Sequence, residues 1–233
     1  MTKKTIGIIG GMGPLATADL FRKIVVHTQA GCDQEHIHVL MDNNTAIPDR
    51  TAALLSGGAD PLPQMTKSAR LLEQAGADCL IMPCNTAHCF HAAVQETVHI
   101  PLLNMLELTC SALQQQGIRC AGLLATNGTV QTGVYARMAE RFGLTLLTPD
   151  AEGQQAVMDM IYQGVKAGKE DFDTTQVCKA VEDLQSRGAQ TMILGCTELP
   201  LAVEMYHLDF PAIDPTLELA KGAIRFAGGT VRE

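Results

Sequence analysis

One short pattern occurs twice in this chain of 233 residues and constrains its fold more than any other feature. The apolar run 79–82 leads to Pro83 and Cys84, and the apolar run 192–194 leads to Gly195 and Cys196. Short apolar runs of this kind predict buried strands. Asn85 and Thr86 are typical helix caps, and Pro200 is typical of a first helical turn. Each cysteine is therefore predicted to lie where a strand turns into a helix.

The sequence around the two cysteines repeats as well. The strand predicted at 6–10 has a counterpart at 121–125, and Ile-Pro-Leu-Leu-Asn at 100–104 has one in Phe-Pro-Ala-Ile-Asp at 210–214. This indicates an α/β protein of two pseudo-symmetric domains, each a small parallel sheet flanked by helices. The expected domains are 1–104 plus 213–233, and 105–212. Ligands of open α/β sheets bind at the carboxyl ends of strands, so we expect an active-site cleft between the domains.

The remaining pattern predicts further strands and helices along the chain. Strands are predicted at 5–9, 37–41, 79–82, 120–124, 145–147 and 191–194, and helices at 15–28, 65–75, 87–97, 106–116, 130–142, 154–165, 174–186 and 216–226. The last helix is expected to return to the first domain.

Composition excludes several classes of function. The chain is 46% hydrophobic and 18% charged, with a net charge of −8 and no basic run, which argues against nucleic acid as a partner. No apolar run reaches the roughly 18 residues needed to cross a membrane. The amino-terminal residues lack a secretory hydrophobic region. Eight cysteines in such a chain favour reduced thiols and a cytoplasmic location over a disulfide scaffold.

Two other motifs suggest cofactors but are weak. Residues 11–16 satisfy the G-x-G-x-x-A pattern of dinucleotide sites, yet Pro14 removes an amide that a pyrophosphate would need. A glycine loop that admits a small anion is the favoured reading, with a nicotinamide enzyme as an alternative. Cys84, His88 and His91 have spacings seen in metal sites, but no second cluster supplies further ligands. We therefore expect no metal and no cofactor.

Paired thiols in duplicated halves suit one reaction in particular. Disulfide exchange prefers Cys-x-x-Cys on one helix, and a single nucleophile leaves the second thiol unexplained. Inverting a carbon centre requires one group to remove a proton and a similar group to supply one from the opposite face. A helix amino terminus lowers a thiol pKa, which would let thiol and thiolate coexist near neutral pH. The alternative for either cysteine is a small buried apolar side chain.

These motifs resemble the aspartate racemases of the cofactor-independent aspartate/glutamate racemase superfamily. The resemblance rests on 7–14, 47–51, 82–88 and 195–198 and extends over essentially the whole chain. It implies interconversion of L- and D-aspartate without pyridoxal phosphate, commonly by a homodimer. It also implies roles for particular residues: Cys84 and Cys196 as the acid/base pair, Arg50 and Lys166 as carboxylate-binding cations, Met12, Asn85, Thr86 and Thr197 as donors around the substrate, and Asp49 and Glu198 as acidic groups that orient the thiols.

Thr126, in the hydroxyl-rich first loop of the second half, is a further substrate-binding candidate. For Asp49 a helix cap, and for Arg50 and Lys166 a solvated charge, are the alternatives from sequence alone. Two cations suit a dicarboxylic substrate better than a neutral amino acid.

Other functions remain open at this stage. A related glutamate, hydantoin or broader-specificity racemase differs only in the shape of the site. A maleate-type isomerase would use Cys84 as a nucleophile. A non-catalytic amino-acid-binding protein would need Arg50 and Lys166 but neither thiol.

Overall fold

Two small parallel sheets organise the chain in the computed structural model, which describes residues 3–232. The chain divides into two compact units. The first comprises the residues up to Leu108 together with those from Thr216 onward, and the second is Thr109–Pro215. None of the described helices is both long enough and apolar enough to span a membrane.

The elements alternate between strand and helix along most of the described chain. The strands are β1 Ile6–Gly10, β2 Val39–Asn43, β3 Cys79–Ile81, β4 Cys120–Ala125, β5 Thr145–Leu147, β6 Thr191–Gly195 and β7 Ala212–Ile213. The α-helices are α1 Pro14–His27, α2 Arg50–Leu55, α3 Leu62–Gln74, α4 His91–Gln95, α5 Met105–Gln115, α6 Asn127–Gln131, α7 Val134–Arg141, α8 Ala151–Asp159, α9 Thr175–Ser186, α10 Leu199–Met205 and α11 Pro215–Phe226. Two 3₁₀ helices, Asp33–Glu35 and Thr86–Phe90, and a π-helical segment, Met160–Val165, complete the set.

The sheet of the first unit is parallel, with strand order β2-β1-β3. A single parallel bridge between Leu80 and Leu102 extends it beyond β3. Alternate side chains of β1 enter two apolar clusters, as the two-residue period of a strand requires. Ile9 packs with α3, whereas Ile6 and Ile8 pack with α1 and α11. The C-terminal helix α11 is therefore part of the core of the first unit.

The second unit repeats this topology. Its sheet is also parallel, with strand order β5-β4-β6-β7. The Met192 amide donates to Pro211 O, just as the Leu80 amide donates to Pro101 O in the first unit. One apolar cluster joins Leu124, Met192 and Leu194 to helices α8, α9 and α10. The predicted fold class, two similar α/β units each built on a small parallel sheet flanked by helices, is confirmed.

Three predicted helices have a different form in the structure. The helix predicted at 87–97 is a 3₁₀ helix followed by the short α4. The helix predicted at 130–142 is divided into α6 and α7 at Gly133, whose φ of 63° is left-handed. The helix predicted at 154–165 begins earlier, and its last six residues widen into the π-helical segment. Periodicity alone does not distinguish these forms because all of them bury one face.

Gly11, in the loop after β1, has a conformation and a position that only glycine tolerates. Its φ is 91°, and a Cβ there would lie 2.2 Å from Asn44 O. Gly76 has a similar φ of 96° but no atom within 4 Å of its Cβ position. Gly76→Ala should cost roughly 1–2 kcal/mol of unfolding free energy, the cost of left-handed backbone. Gly11→Ala should cost about 2 kcal/mol more than Gly76→Ala, because the backbone at Asn44 must move to make room for the new methyl group.

Urea denaturation of both variants at pH 7.5 measures the difference. Equal losses of unfolding free energy in the two variants would show that the loop accommodates a side chain, and would contradict the tight contact with Asn44.

Candidate active site

In the first unit, the carboxyl end of β1 leads into a loop that contacts the start of α2. Met12 is buried in this loop, and its carbonyl accepts a hydrogen bond from Arg50 Nη2 at 3.2 Å. Arg50 Nη1 also donates to Pro48 O at 3.0 Å. These bonds hold the half-buried guanidinium against the loop, so the structure brings the two predicted residues Met12 and Arg50 together.

Asp49 lies next to Arg50 and caps helix α2. Its Oδ1 accepts from the Ala52 amide at 2.7 Å, and its side chain is exposed. Asp49 is thus the cap of helix α2, which is the alternative that the sequence offered for it. A role for Asp49 in orienting a thiol stays a prediction.

The loop itself is held by Thr17, a residue that sequence reasoning did not single out. Thr17 Oγ1 accepts from the Gly11 amide at 3.0 Å and donates to Gly13 O at 2.9 Å. Thr17 is fully buried, and a Cβ on Gly10 would lie 2.3 Å from its methyl group. The position of Met12, and through it that of Arg50, therefore depends on this hydroxyl. A threonine one turn into α1, after a loop with two glycines, was the available sequence signal.

Cys84 lies just beyond the carboxyl end of β3 and is buried, in the same apolar cluster as Met12 and Ile47. Its amide donates to Met82 O at 2.9 Å. Asn85 and Thr86, the predicted donors, are also buried. The expectation that Asn85 caps the following helix with its side chain is wrong, because its φ and ψ are already helical and its side chain makes no cap bond.

His88 contacts the backbone on both sides of its ring. Its Nδ1 lies 2.8 Å from Cys84 O, and its Nε2 lies 3.0 Å from the Met105 amide. Since the carbonyl requires a donor and the amide requires an acceptor, the ring is the neutral Nδ1–H tautomer. The pKa of His88 is lowered from 6.5 to about 4, chiefly by burial and to a smaller extent by the nearby His91, although the hydrogen bond to Cys84 O acts in the opposite direction.

In the second unit, a buried cluster of polar side chains follows β6. The Cys196 thiol donates to Glu198 Oε2 at 2.9 Å, and Thr197 Oγ1 donates to the same oxygen at 3.2 Å. All three residues are at most 8% exposed. Both bonds are directed at the same oxygen of Glu198, so the other oxygen of the carboxylate can accept from a cation.

Glu198 changes the acidity of the neighbouring thiol. Burial, together with the charge and hydrogen bond of Glu198, raises the pKa of Cys196 well above its ordinary value. The expectation that a helix amino terminus lowers the thiol pKa is wrong for Cys196, because desolvation and a carboxylate outweigh the helix. Cys196 is therefore a protonated thiol at neutral pH.

Lys166 completes this cluster. Its Nζ lies 3.3 Å from Glu198 Oε1 and 4.9 Å from the centre of the Tyr162 ring. Burial lowers the pKa of Lys166, but Glu198, Cys196 and Tyr162 more than offset this, so the pKa is raised. Lys166 directly follows the π-helical segment, and Tyr162 lies within that segment. The tyrosine was not singled out from sequence, although an aromatic residue four before a lysine on a helix is a signal for such a contact.

Thr126 follows β4 and caps helix α6. It is buried, and its Oγ1 accepts from the Thr129 amide at 3.4 Å. The structure thus groups Met12 with Arg50 and Cys84 in one unit, and Cys196, Thr197 and Glu198 with Lys166 in the other. In residues 3–232, no group of three or more histidine, cysteine or acidic side chains is arranged to hold a metal ion.

Comparison with known proteins gives consistent results over nearly the whole chain. The model of the Asp/Glu/hydantoin racemase family matches residues 9–223. The solved structure of an aspartate racemase from Picrophilus torridus is 33% identical, with a TM-score of 0.82, and the alignment covers 98% of this chain and 96% of that chain. A putative Asp/Glu racemase from Yersinia pestis is 27% identical, with a TM-score of 0.81 and coverage of 96% and 99%. A broad-specificity amino-acid racemase of Bacillus subtilis (strain 168) is 25% identical, with coverage of 94% and 96%.

The lowered pKa of His88 predicts a pH dependence of stability. A histidine whose folded-state pKa lies below its unfolded value favours the unfolded state as protons bind. The stability that neutral His88 contributes is therefore fully present above pH 6.5 and is lost as the pH falls toward 4. Between pH 7.5 and 4.5, the unfolding free energy of the wild type should fall by roughly 2–3 kcal/mol more than that of His88→Asn. Urea denaturation at both pH values measures this, with His91→Asn as the control, which removes only the smaller effect of His91 and keeps most of the wild-type pH dependence.

Glu198 predicts a change in thiol reactivity. Glu198→Gln removes a negative charge from beside Cys196, so it should lower the pKa of the thiol, although burial keeps it above the ordinary value. Iodoacetamide should then alkylate Cys196 about 10-fold faster at pH 8.5, the factor expected for one pKa unit. Peptide mass spectrometry resolves Cys196 from the other cysteines. Glu204→Gln, at an exposed position of α10, is the control. Slower alkylation in Glu198→Gln than in wild type would contradict the assigned cause of the shift.

Proposed function

Because the chain belongs to the Asp/Glu/hydantoin racemase family, we propose that it interconverts L- and D-aspartate by two-base chemistry, with Cys84 and Cys196 as the acid/base pair and no pyridoxal phosphate. The family match confirms the resemblance identified in the sequence and the predicted enzyme class, an amino-acid racemase. The substrate and the mechanism are our proposal.

The observation that carries the proposal is the equivalence of the two thiols. Each is buried just beyond the carboxyl end of the third strand of its unit, and the first three strands of each unit are arranged in the same order. Racemisation in both directions requires two groups of similar chemistry that exchange the roles of acid and base. A duplicated fold with one buried thiol per unit supports this requirement.

In the proposed reaction, one cysteine thiolate removes the α-proton, and the electron pair of the C–H bond passes into the substrate carboxylate as an enediolate-like intermediate. The other cysteine thiol then delivers its proton to the opposite face of the α-carbon. The first cysteine ends as a thiol and the second as a thiolate, so no oxidant, reductant or cofactor is consumed. The reverse direction uses the same groups in exchanged roles.

Glu198 keeps the second thiol protonated. With its raised pKa, Cys196 is the protonated group of the resting enzyme and acts first as the acid. It becomes the thiolate by delivering its proton to the α-carbon, and in that form it serves as the base for the reverse direction. Lys166 lowers the pKa of Cys196, so its charge favours this thiolate form.

The cations favour an acidic substrate. Arg50 is held by the carbonyls of Met12 and Pro48 and offers a planar fork for a carboxylate. Lys166 offers a point charge. The relative from Picrophilus torridus carries the name aspartate racemase and supports aspartate as the first substrate to test, and the Bacillus subtilis relative makes a broader specificity the alternative.

The setting of the enzyme is also proposed. All eight cysteines are free thiols in the structure, which suits the reducing cytoplasm that the sequence predicts. A homodimer, implied by the resemblance, stays a prediction that sedimentation velocity tests directly.

The decisive test is incubation of the purified protein with L-aspartate, L-glutamate or L-alanine in deuterium oxide without added cofactor. Chiral analysis should show D-aspartate with deuterium at the α-carbon. Cys84→Ser and Cys196→Ser should each lose racemisation in both directions, because inversion needs both groups. Each variant should still exchange the α-proton of one enantiomer through its remaining thiol, and the two variants should differ in which enantiomer that is.

The controls are Cys32→Ser, which removes an exposed thiol, and the double variant, which should neither racemise nor exchange. Near-normal racemisation by either single variant would exclude the two-thiol mechanism. Turnover of L-alanine alone would exclude the dicarboxylic substrate while leaving the mechanism intact.

Arg50→Ala and Lys166→Ala should impair substrate binding more than folding. Each removes a charge-assisted bond to a carboxylate, worth about 1.5–3 kcal/mol, so KM for aspartate should rise about 10-fold or more. Circular dichroism should show folded proteins for both. Lys179→Ala, which removes an exposed cation of α9, is the control. Unchanged KM in both variants would contradict the assignment.

A further inference from the structure

His88 connects the turn that carries Cys84 to the beginning of helix α5. Nδ1 of His88 donates to Cys84 O at 2.8 Å, and Nε2 accepts from the Met105 amide at 3.0 Å. Met105 is the first residue of α5. Both contacts lie within the first unit, and His88 is only 5% exposed.

The helix amino terminus fixes which ring nitrogen carries the proton. The first amides of a helix have no partner within the helix. Asn104 Oδ1 accepts from the amides of Leu106 and Glu107 at 3.0 and 3.1 Å, and the amide of Met105 is left for His88. An amide at the positive end of a helix favours an unprotonated acceptor. Nε2 is therefore held bare, and Nδ1 has to carry the proton that the Cys84 carbonyl accepts.

The backbone of Cys84 is thereby held from both sides. Its amide donates to Met82 O, and its carbonyl accepts from His88, whose own amide donates to Asn85 O. The direction of the Cα–Cβ bond of Cys84, and with it the position of the sulfur, depends on these two peptide planes. A displacement of about 1 Å at a reacting group can lower a rate about 100-fold, so a bond of this kind affects catalysis without contact with substrate.

We propose that His88 is a positioning residue for the Cys84 thiol, which it orients as a neutral ring bonded between the Cys84 carbonyl and the first amide of α5. This inference rests on the proposed function, in which Cys84 is one of the two acid/base groups. Both ring nitrogens of His88 are bonded to backbone groups, so its role in this proposal is to set where the sulfur lies.

Two substitutions separate the two bonds of the ring. His88→Asn keeps an N–H close to the place of Nδ1 and loses the acceptor for Met105. His88→Gln reaches the place of Nε2 with an amide oxygen, keeps the acceptor for Met105 and loses the donor to Cys84. His91→Asn is the matched control, because His91 stacks on His88 at 5.7 Å and also contacts a backbone carbonyl, Leu102 O, at 2.8 Å.

The expected results differ between the variants. His88→Gln should lower kcat for racemisation at least about 10-fold with KM nearly unchanged, because substrate binding is not altered. It should also change the rate and the pH profile of iodoacetamide alkylation at Cys84, read by peptide mass spectrometry. His88→Asn should keep most of the wild-type kcat and the wild-type alkylation profile of Cys84, although it should lose more unfolding free energy than His88→Gln. His91→Asn should match the wild type in kcat and in alkylation of Cys84.

Two outcomes would overturn the proposal. If both His88 variants lower kcat in proportion to their loss of unfolding free energy, the histidine has only a structural role. If both keep wild-type kcat and wild-type alkylation of Cys84, the carbonyl bond does not orient the thiol. Failure of the wild type to racemise any amino acid would instead refute the proposed function, and the alkylation profiles would then decide the role of His88 alone.

Discussion

The hydrogen bond from the Cys196 thiol to Glu198 is the interaction on which the chemistry of the second unit depends. A buried carboxylate is stable only when it is paired or accepts several hydrogen bonds. Here one oxygen accepts from Cys196 and Thr197 while the other faces Lys166. Each polar group of the cluster thus has a hydrogen-bond or ion-pair partner within it, and the removal of any one of them changes the charge or the acidity of the rest.

The first three strands of each unit are arranged in the same order, but the two units support their thiols in different ways. In the second unit, a side chain two residues beyond the cysteine bonds directly to the sulfur. In the first unit, a side chain four residues beyond it bonds to the carbonyl of the cysteine. The first arrangement controls the acidity of the thiol, and the second controls the direction of its side chain. A duplicated fold therefore does not imply duplicated electrostatics.

The strands that precede the two cysteines, and several candidate site residues, could be predicted from the sequence. The runs 79–82 and 192–194 are apolar and short, and they correspond to the strands β3 and β6, every residue of which is buried. The repeat of 100–104 at 210–214 corresponds to matching hydrogen bonds in the structure, in which the Leu80 amide donates to Pro101 O and the Met192 amide donates to Pro211 O. Cys84 and Cys196 could be named from their duplicated context, and Arg50 and Lys166 through the resemblance to the racemase family.

The rest depends on contacts between segments that are distant in sequence. The bond between His88 and the Met105 amide spans 17 residues, and the bond between Arg50 and Met12 O spans 38. No local pattern encodes such pairs. The raised pKa of Cys196 was missed for a related reason, since burial and an adjacent carboxylate act only once the chain has folded. The π-helical segment was missed because its hydrophobic spacing fits an α-helix equally well.

Lys166 brings these effects together in the proposed reaction. In the absence of substrate, its charge is shared with Glu198, which accepts hydrogen bonds from Cys196 and Thr197. The charge of Lys166 lowers the pKa of Cys196, whereas Glu198 and burial raise it. A substrate carboxylate bound to Lys166 would share that charge, so the pKa of Cys196 would rise further. In this scheme, binding of an acidic substrate keeps Cys196 protonated, as the acid of the first proton transfer requires. The ion pair therefore links recognition of the substrate to the protonation state of the thiol.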